Sequence, residues 1–165
     1  MGQGEADFFA ELALSADDNV TKLGFPVART SRMAIPERNL DDYTAFIQIS
    51  GAVQGGVIVT FEAGLALELT RSYMIDPVTD EEAKNYAVEV VAELSNVICG
   101  NALTERVPLP IYLGNPLIFV ARQAEIRTRS AKPYTQFFDT AKGSFQIMFI
   151  PMEQESELAT ILNSH

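Results

Sequence analysis

The sequence predicts an α+β domain in which an antiparallel sheet is covered by two or three long helices. Three observations carry that reading. Residues 43–50 (YTAFIQIS) and 56–61 (GVIVTF) are alternating, β-rich runs on either side of a glycine-containing turn. Residues 134–140 (YTQFFDT) and 143–151 (GSFQIMFIP) form a second such pair. Stretches with helical spacing precede the first pair and separate it from the second. Strand pairs segregated from helices favour an antiparallel sheet with its helices on one face. The 165 residues suit one domain spanning 1–165.

The elements follow in order. Phe8, Phe9, Leu12, Leu14, Val20 and Leu23 recur with helical spacing, so a first helix is expected over about 8–23, stopped by Gly24 and Pro26. Residues 27–33 have strand character within a turn-like stretch. After the first strand pair, Leu65, Leu69 and Tyr73 mark a helix over 62–73, which Pro77 keeps from continuing. Thr79 followed by Asp80, Glu81 and Glu82 resembles a capping box with acidic residues in the first turn. It opens a long helix from 80 to about 106, with Pro108 and Pro110 beyond it. Residues 117–126 read as a strand. After the second strand pair, 153–162 reads as a short amphipathic tail helix.

Composition narrows the function. Hydrophobic residues make up 47% of the chain, enough for a real core. The formal net charge is −10, which argues against nucleic acid or an anionic membrane surface as partner. The single cysteine, Cys99, excludes an internal disulfide and sits among apolar neighbours, as a buried structural thiol would. The one histidine is His165, so a histidine triad or histidine metal cluster is excluded. No Walker loop, dinucleotide glycine motif, EF-hand or Gly-x-Ser-x-Gly elbow occurs, and no metal site of the chain's own is expected. No apolar run has the length of a membrane span. The first residues lack the basic-then-apolar order of a signal peptide, and a cytoplasmic location is expected.

One feature of the long helix is not needed for folding. With about 100° of rotation per residue, Glu89, Glu93, Asn96 and Gly100 fall within roughly 60° of arc. Nearly everything else from Val88 to Ala102 is apolar or small. Asn is a poor residue for a helix interior, and Gly100 removes a side chain where another surface could approach. A solvated helix face would carry such residues, and so would a working site. The Asn96 amide both donates and accepts, so it can hold a water in line with a phosphorus atom. Phosphoryl hydrolysis needs mainly positioning and electrostatics. Glu93, one turn before Asn96, can pair with a partner's lysine. Asn101 points to the apolar side of the wheel, where a hydrogen bond within the fold is expected.

Glu93-x-x-Asn96-x-x-x-Gly100-Asn101-Ala102 resembles the signature of the CheC/CheX/FliY chemotaxis phosphatases. That motif runs Asp or Ser, three residues, Glu, two residues, Asn; here Glu89 stands in the first position. The resemblance extends to the N-terminal helix, the hairpin SGAVQGGVIVTF, the strand pair FFDTAKGSFQIMFIP, and Pro116 downstream of the Asn. CheC-type members carry two signature helices and CheX-type members one. The first helix here reads Glu11-Leu12-Ala13-Leu14, without the Asn, so the chain is similar to CheX.

The resemblance implies a CheC-like fold and a phosphatase of a phosphorylated CheY-like receiver domain. It implies catalytic roles for Asn96, orienting the attacking water, and Glu93, contacting the receiver's active-site lysine. Glu89 and Gly100 become partner-binding residues. It implies no cofactor of the chain's own, Mg²⁺ being held by the receiver, and a homodimer. Two other readings stand beside it. One is a non-catalytic dimeric adaptor of a signalling pathway, and the other a small-ligand sensor built at the helix–sheet junction.

Overall fold

Strands β3 (Tyr43–Gly51) and β4 (Gly55–Phe61) form the expected hairpin, in register from Tyr43 opposite Phe61 to Ile49 opposite Gly55. The computed structural model describes residues 2–30, 38–103, 110–122, 124–126 and 133–152. Around the hairpin a seven-stranded sheet runs β1 (Ala28–Thr30), β8 (Tyr134–Thr140), β9 (Gly143–Pro151), β4, β3, β5 (Ile111–Leu113), with β6 (Leu117–Val120) also pairing β3. Every pairing is antiparallel. A separate two-stranded ladder joins β2 (Arg38–Asn39) to β7 (Glu125–Ile126). Gly55 lies where the backbones of β4 and β9 cross closely. Its φ is +153°, and an added Cβ would collide with the Ile150 carbonyl oxygen.

Three helices cover one face: α1 (Gly2–Lys22), α2 (Ala63–Tyr73) and α3 (Asp80–Ala102). The α3 helix packs on both α1 and α2 and over β3 and β6. Alternate residues of β3, Ala45, Ile47 and Ile49, meet the helices in one core with Phe8, Leu12, Leu65, Leu69, Val91, Leu94 and Ile98. Within it Phe138 stacks on Phe145 at 4.6 Å and Phe61 on Phe145 at 5.2 Å. The opposite face has its own small cluster of Phe46, Ile58, Met148, Ile150 and Met152, with Leu40 packed on it. Central strand β4 is therefore buried on both faces, which its run GVIVTF permits, its one polar side chain, Thr60, being bonded to Thr44 and to the Asp41 N–H.

Several expected boundaries move. The α1 helix begins at Gly2 rather than near residue 8, because residues 2–7 lack the apolar periodicity that marks a helix in sequence. The strand expected over 117–126 stops at Val120, with one further bond in the same register from the Ala121 N–H to the Asp42 carbonyl; 125–126 pairs with β2 instead. The long helix ends at Ala102, capped by Leu103, whose N–H bonds to the Gly100 carbonyl. Residues 104–106 of the expected helix, 31–33 of the expected early strand and the tail helix at 153–162 lie outside the described residues. The three-residue strand β5, between a proline and a glycine, is too short to signal itself. Among the described residues no helix is long and apolar enough to cross a membrane.

Candidate functional site

The site rests on α3, and the helix is held at its start and along its sides. At its start the capping box is complete: the Glu82 N–H donates to Thr79 Oγ1 at 3.1 Å, and the Thr79 N–H to Glu82 Oε1 at 3.0 Å. Those bonds hold the Glu82 carboxyl below the usual carboxylate range. The Arg71 guanidinium, paired with Glu68, also pairs with Asp80 and ties the end of α2 to the start of α3. On the α1 side, Ser15 Oγ donates to the Ile98 carbonyl at 2.7 Å, a buried bond between segments far apart in sequence. Asn19 bridges the same seam. Its Nδ2 donates to the Ser15 carbonyl at 2.8 Å, and its Oδ1 accepts from Asn101 Nδ2 at 3.4 Å. Asn101 thus bonds within the fold, as expected, but at an exposed position rather than an apolar one.

Burial divides α3 along its length. Ala87, Val90, Val91, Leu94, Ser95, Ile98, Cys99 and Ala102 are buried against the core. Glu89, Glu93, Asn96 and Gly100 are all exposed. The structure therefore brings all four predicted site residues to one open face. At a rise of about 1.5 Å per residue, Asn96 stands about 4.5 Å along the axis beyond Glu93, and Gly100 about 6 Å beyond Asn96. Among the described residues, none of the Glu89, Glu93 or Asn96 side chains forms a hydrogen bond or an ion pair. An Asn in mid-helix without an internal bond stabilises nothing in its own fold; its donor and acceptor face outward.

Gly100 adds an open place on that face. An added Cβ would meet nothing within 4 Å, so no contact inside the chain requires glycine there. Tyr73, at the end of α2, is a neighbour that the sequence marks only as a periodic residue of that helix. Burial raises its phenol pKa, and the Glu93 charge raises it further, so the hydroxyl stays protonated near the Glu93 carboxylate. Cys99 lies on the buried side of α3, where desolvation pushes its thiol up to about 12. Such a thiol is inert and takes no part in the site's chemistry. Among the described residues no group of three or more His, Cys, Asp or Glu side chains could hold a metal ion.

A helix face of this kind can dock against another molecule and hold a water at its surface. It offers no nucleophile of its own. Comparison with known proteins bears on what docks there. The family model "Chemotaxis phosphatase CheX" matches residues 43–139, which include β3, β4, α2 and the whole of α3. No curated protein sequence matches the chain.

Solved structures share the fold at low identity. The chemotaxis protein CheX from Desulfovibrio desulfuricans is 16% identical, with a TM-score of 0.75 over 88% of this chain and 99% of that one. CheX from Vibrio vulnificus is 18% identical, with a TM-score of 0.71 over 88% and 96%. A CheX–CheY–BeF₃–Mg²⁺ complex from Borrelia burgdorferi is 14% identical, with a TM-score of 0.71 over 88% and 98%.

Proposed function

The chain belongs to the CheX family of chemotaxis phosphatases, and on that premise we propose that it hydrolyses the aspartyl phosphate of a CheY-like receiver domain. The observation that carries the reading is the Glu93/Asn96 pair. Both side chains are exposed on a rigidly held helix and unbonded within the described fold. Asn96 enters the receiver's phosphorylation site and orients water in line with the phosphorus atom. Its carboxamide accepts from that water, while its N–H₂ group faces the phosphoryl oxygens. Glu93 pairs with the receiver's active-site lysine, which offsets the repulsion between a carboxylate and the phosphoryl group. Mg²⁺ belongs to the receiver and neutralises the phosphoryl oxygens there. The Borrelia complex of this fold, which contains CheY and Mg²⁺, supports a CheY-like partner.

Glu89 flanks the pair one turn earlier and contacts the receiver at the margin of the interface. Gly100 provides clearance. Gly100→Ala is expected to raise the unfolding free energy by about 1 kcal/mol, the helix cost of glycine, and to raise KM for the receiver several-fold. Denaturant melts and steady-state kinetics read the two effects. A KM equal to that of the parent chain would remove the clearance role.

A homodimer forms part of this reading. Its support is the free edge of the sheet: among the described strands, β5 and β6 pair only with β3. Tyr112, Leu117 and Phe119 are exposed there. Register puts Leu117 opposite Phe46 and Phe119 opposite Thr44, on the face away from the helices. An exposed apolar edge of this kind suits pairing with a second copy.

The direct test is the lifetime of a phosphorylated receiver with and without this protein. Catalytic amounts are expected to shorten it. Tight binding of the receiver with an unchanged lifetime would replace the phosphatase by an adaptor.

A further inference from the structure

Away from the exposed stripe, a cleft of about 570 Å³ opens at the junction of the α2 N-terminus, the first turns of α3 and the end of β6. Lys84 reaches it from α3, and Arg122 from the turn after β6. Lys84 lies about 140° around α3 from Glu89, so the cleft does not share the face assigned to the receiver.

We propose that this cleft binds a small organic anion, with a phosphate or carboxylate head on a compact apolar body. Three observations carry the proposal. First, the two cations come from distant parts of the chain, and among the described residues neither forms an ion pair or a side-chain hydrogen bond. Of the other described cations, Arg29 pairs with Asp17, Arg71 with Glu68 and Asp80, and Lys142 with Glu68, while Lys22 stands apart at the end of α1. In a chain of net charge −10, acidic partners are plentiful. Second, the one carboxylate lining the cleft, Asp42, already has a backbone partner: its Oδ2 accepts the Ala63 N–H at 2.8 Å. With two cations against one carboxylate that is already bonded, the lining carries a net positive charge.

Third, the rest of the lining is apolar. Tyr43 and Val120 stand opposite each other across the β3–β6 pair, on the helix side of the sheet, with Ala63 beside them. A cleft of this volume with an apolar floor and two cationic side chains in its lining has the make-up of a small-molecule site. Within a chain of net charge −10, the cleft is a locally positive place that attracts an anion. The inference does not depend on the phosphatase reading.

The test is a ¹⁵N-detected titration of the full chain with phenyl phosphate and with benzoate, and with phenol as the neutral analogue. At least one anion is expected to shift the amides of Ala63, Lys84, Ala121 and Arg122 saturably, while phenol at the same concentrations does not. The arm that saturates at lower concentration identifies the preferred head group. The double variant Lys84→Gln/Arg122→Gln alters two exposed side chains and is expected to keep the parent spectrum elsewhere while weakening binding at least tenfold. Absence of saturable shifts with either anion, equal binding of phenol, or undiminished binding by the double variant would each overturn the proposal.

Discussion

Asn96→Ala is expected to abolish the acceleration of receiver dephosphorylation while leaving the protein slightly more stable. Asn96 is exposed, and no hydrogen bond within the described fold is lost. Alanine is the better helix residue, so the variant should gain up to about 0.7 kcal/mol in unfolding free energy. The rate should fall by roughly 10²–10³-fold, the usual cost of removing one preorganised polar group that acts on the transition state. Opposite signs for stability and activity separate a working residue from a structural one, since damage to the fold lowers both. Dephosphorylation rates at saturating receiver, set beside denaturant melts of the same preparation, check the pair of effects. An unchanged rate would show that Asn96 does not position the water. If the parent chain accelerates dephosphorylation and Asn96→Ala still does, the family reading survives and this residue's role does not.

How much of this was legible in sequence depends on the range of the interactions involved. The stripe was legible because a helix turns periodic spacing directly into a face. Once α3 was recognised from its capping box at Thr79 and its apolar repeat, the exposure of Glu89, Glu93, Asn96 and Gly100 followed. The two hairpins were legible for the same local reason, alternation on either side of a tight turn. Residues 2–7 were not, because a helix that grows outward from an apolar segment leaves no periodicity in its polar extension. Nor was the end of β6, because residues 125–126 leave β3 and pair with β2, far away in the chain. The sequence marks Tyr73 only as a periodic residue of α2; its place beside Glu93 and the Lys84/Arg122 cleft lie beyond sequence reading. Each depends on which side of one element faces another, and that is settled only by packing across the sheet.

A truncation beneath the helices should behave in the opposite way to Asn96→Ala. Phe145 is 1% exposed, in the middle of an aromatic ladder that crosses β4, β9 and β8. Register sets it opposite both Phe61 and Phe138, and it stacks on each. The next residue along, Ser144, donates its N–H to Glu62, the residue that caps α2, so this ladder also seats α2 on the sheet. Phe145→Ala removes both stacks and leaves a void that rigid strands cannot close. It should cost about 3–5 kcal/mol, the usual range for a buried Phe truncated to Ala. Against a typical domain stability of about 5–15 kcal/mol, that is a large share. The denaturation midpoint should fall steeply, and total activity should fall with the folded fraction. The rate per folded molecule should stay near that of the parent chain, because Asn96 and Glu93 stand on the far, outward side of α3 from the Phe145 ring. Activity measured across a denaturant series, divided by the folded fraction at each point, checks this. A fall in rate per folded molecule would mean that the ladder sets the position of α3 as well as the stability of the sheet.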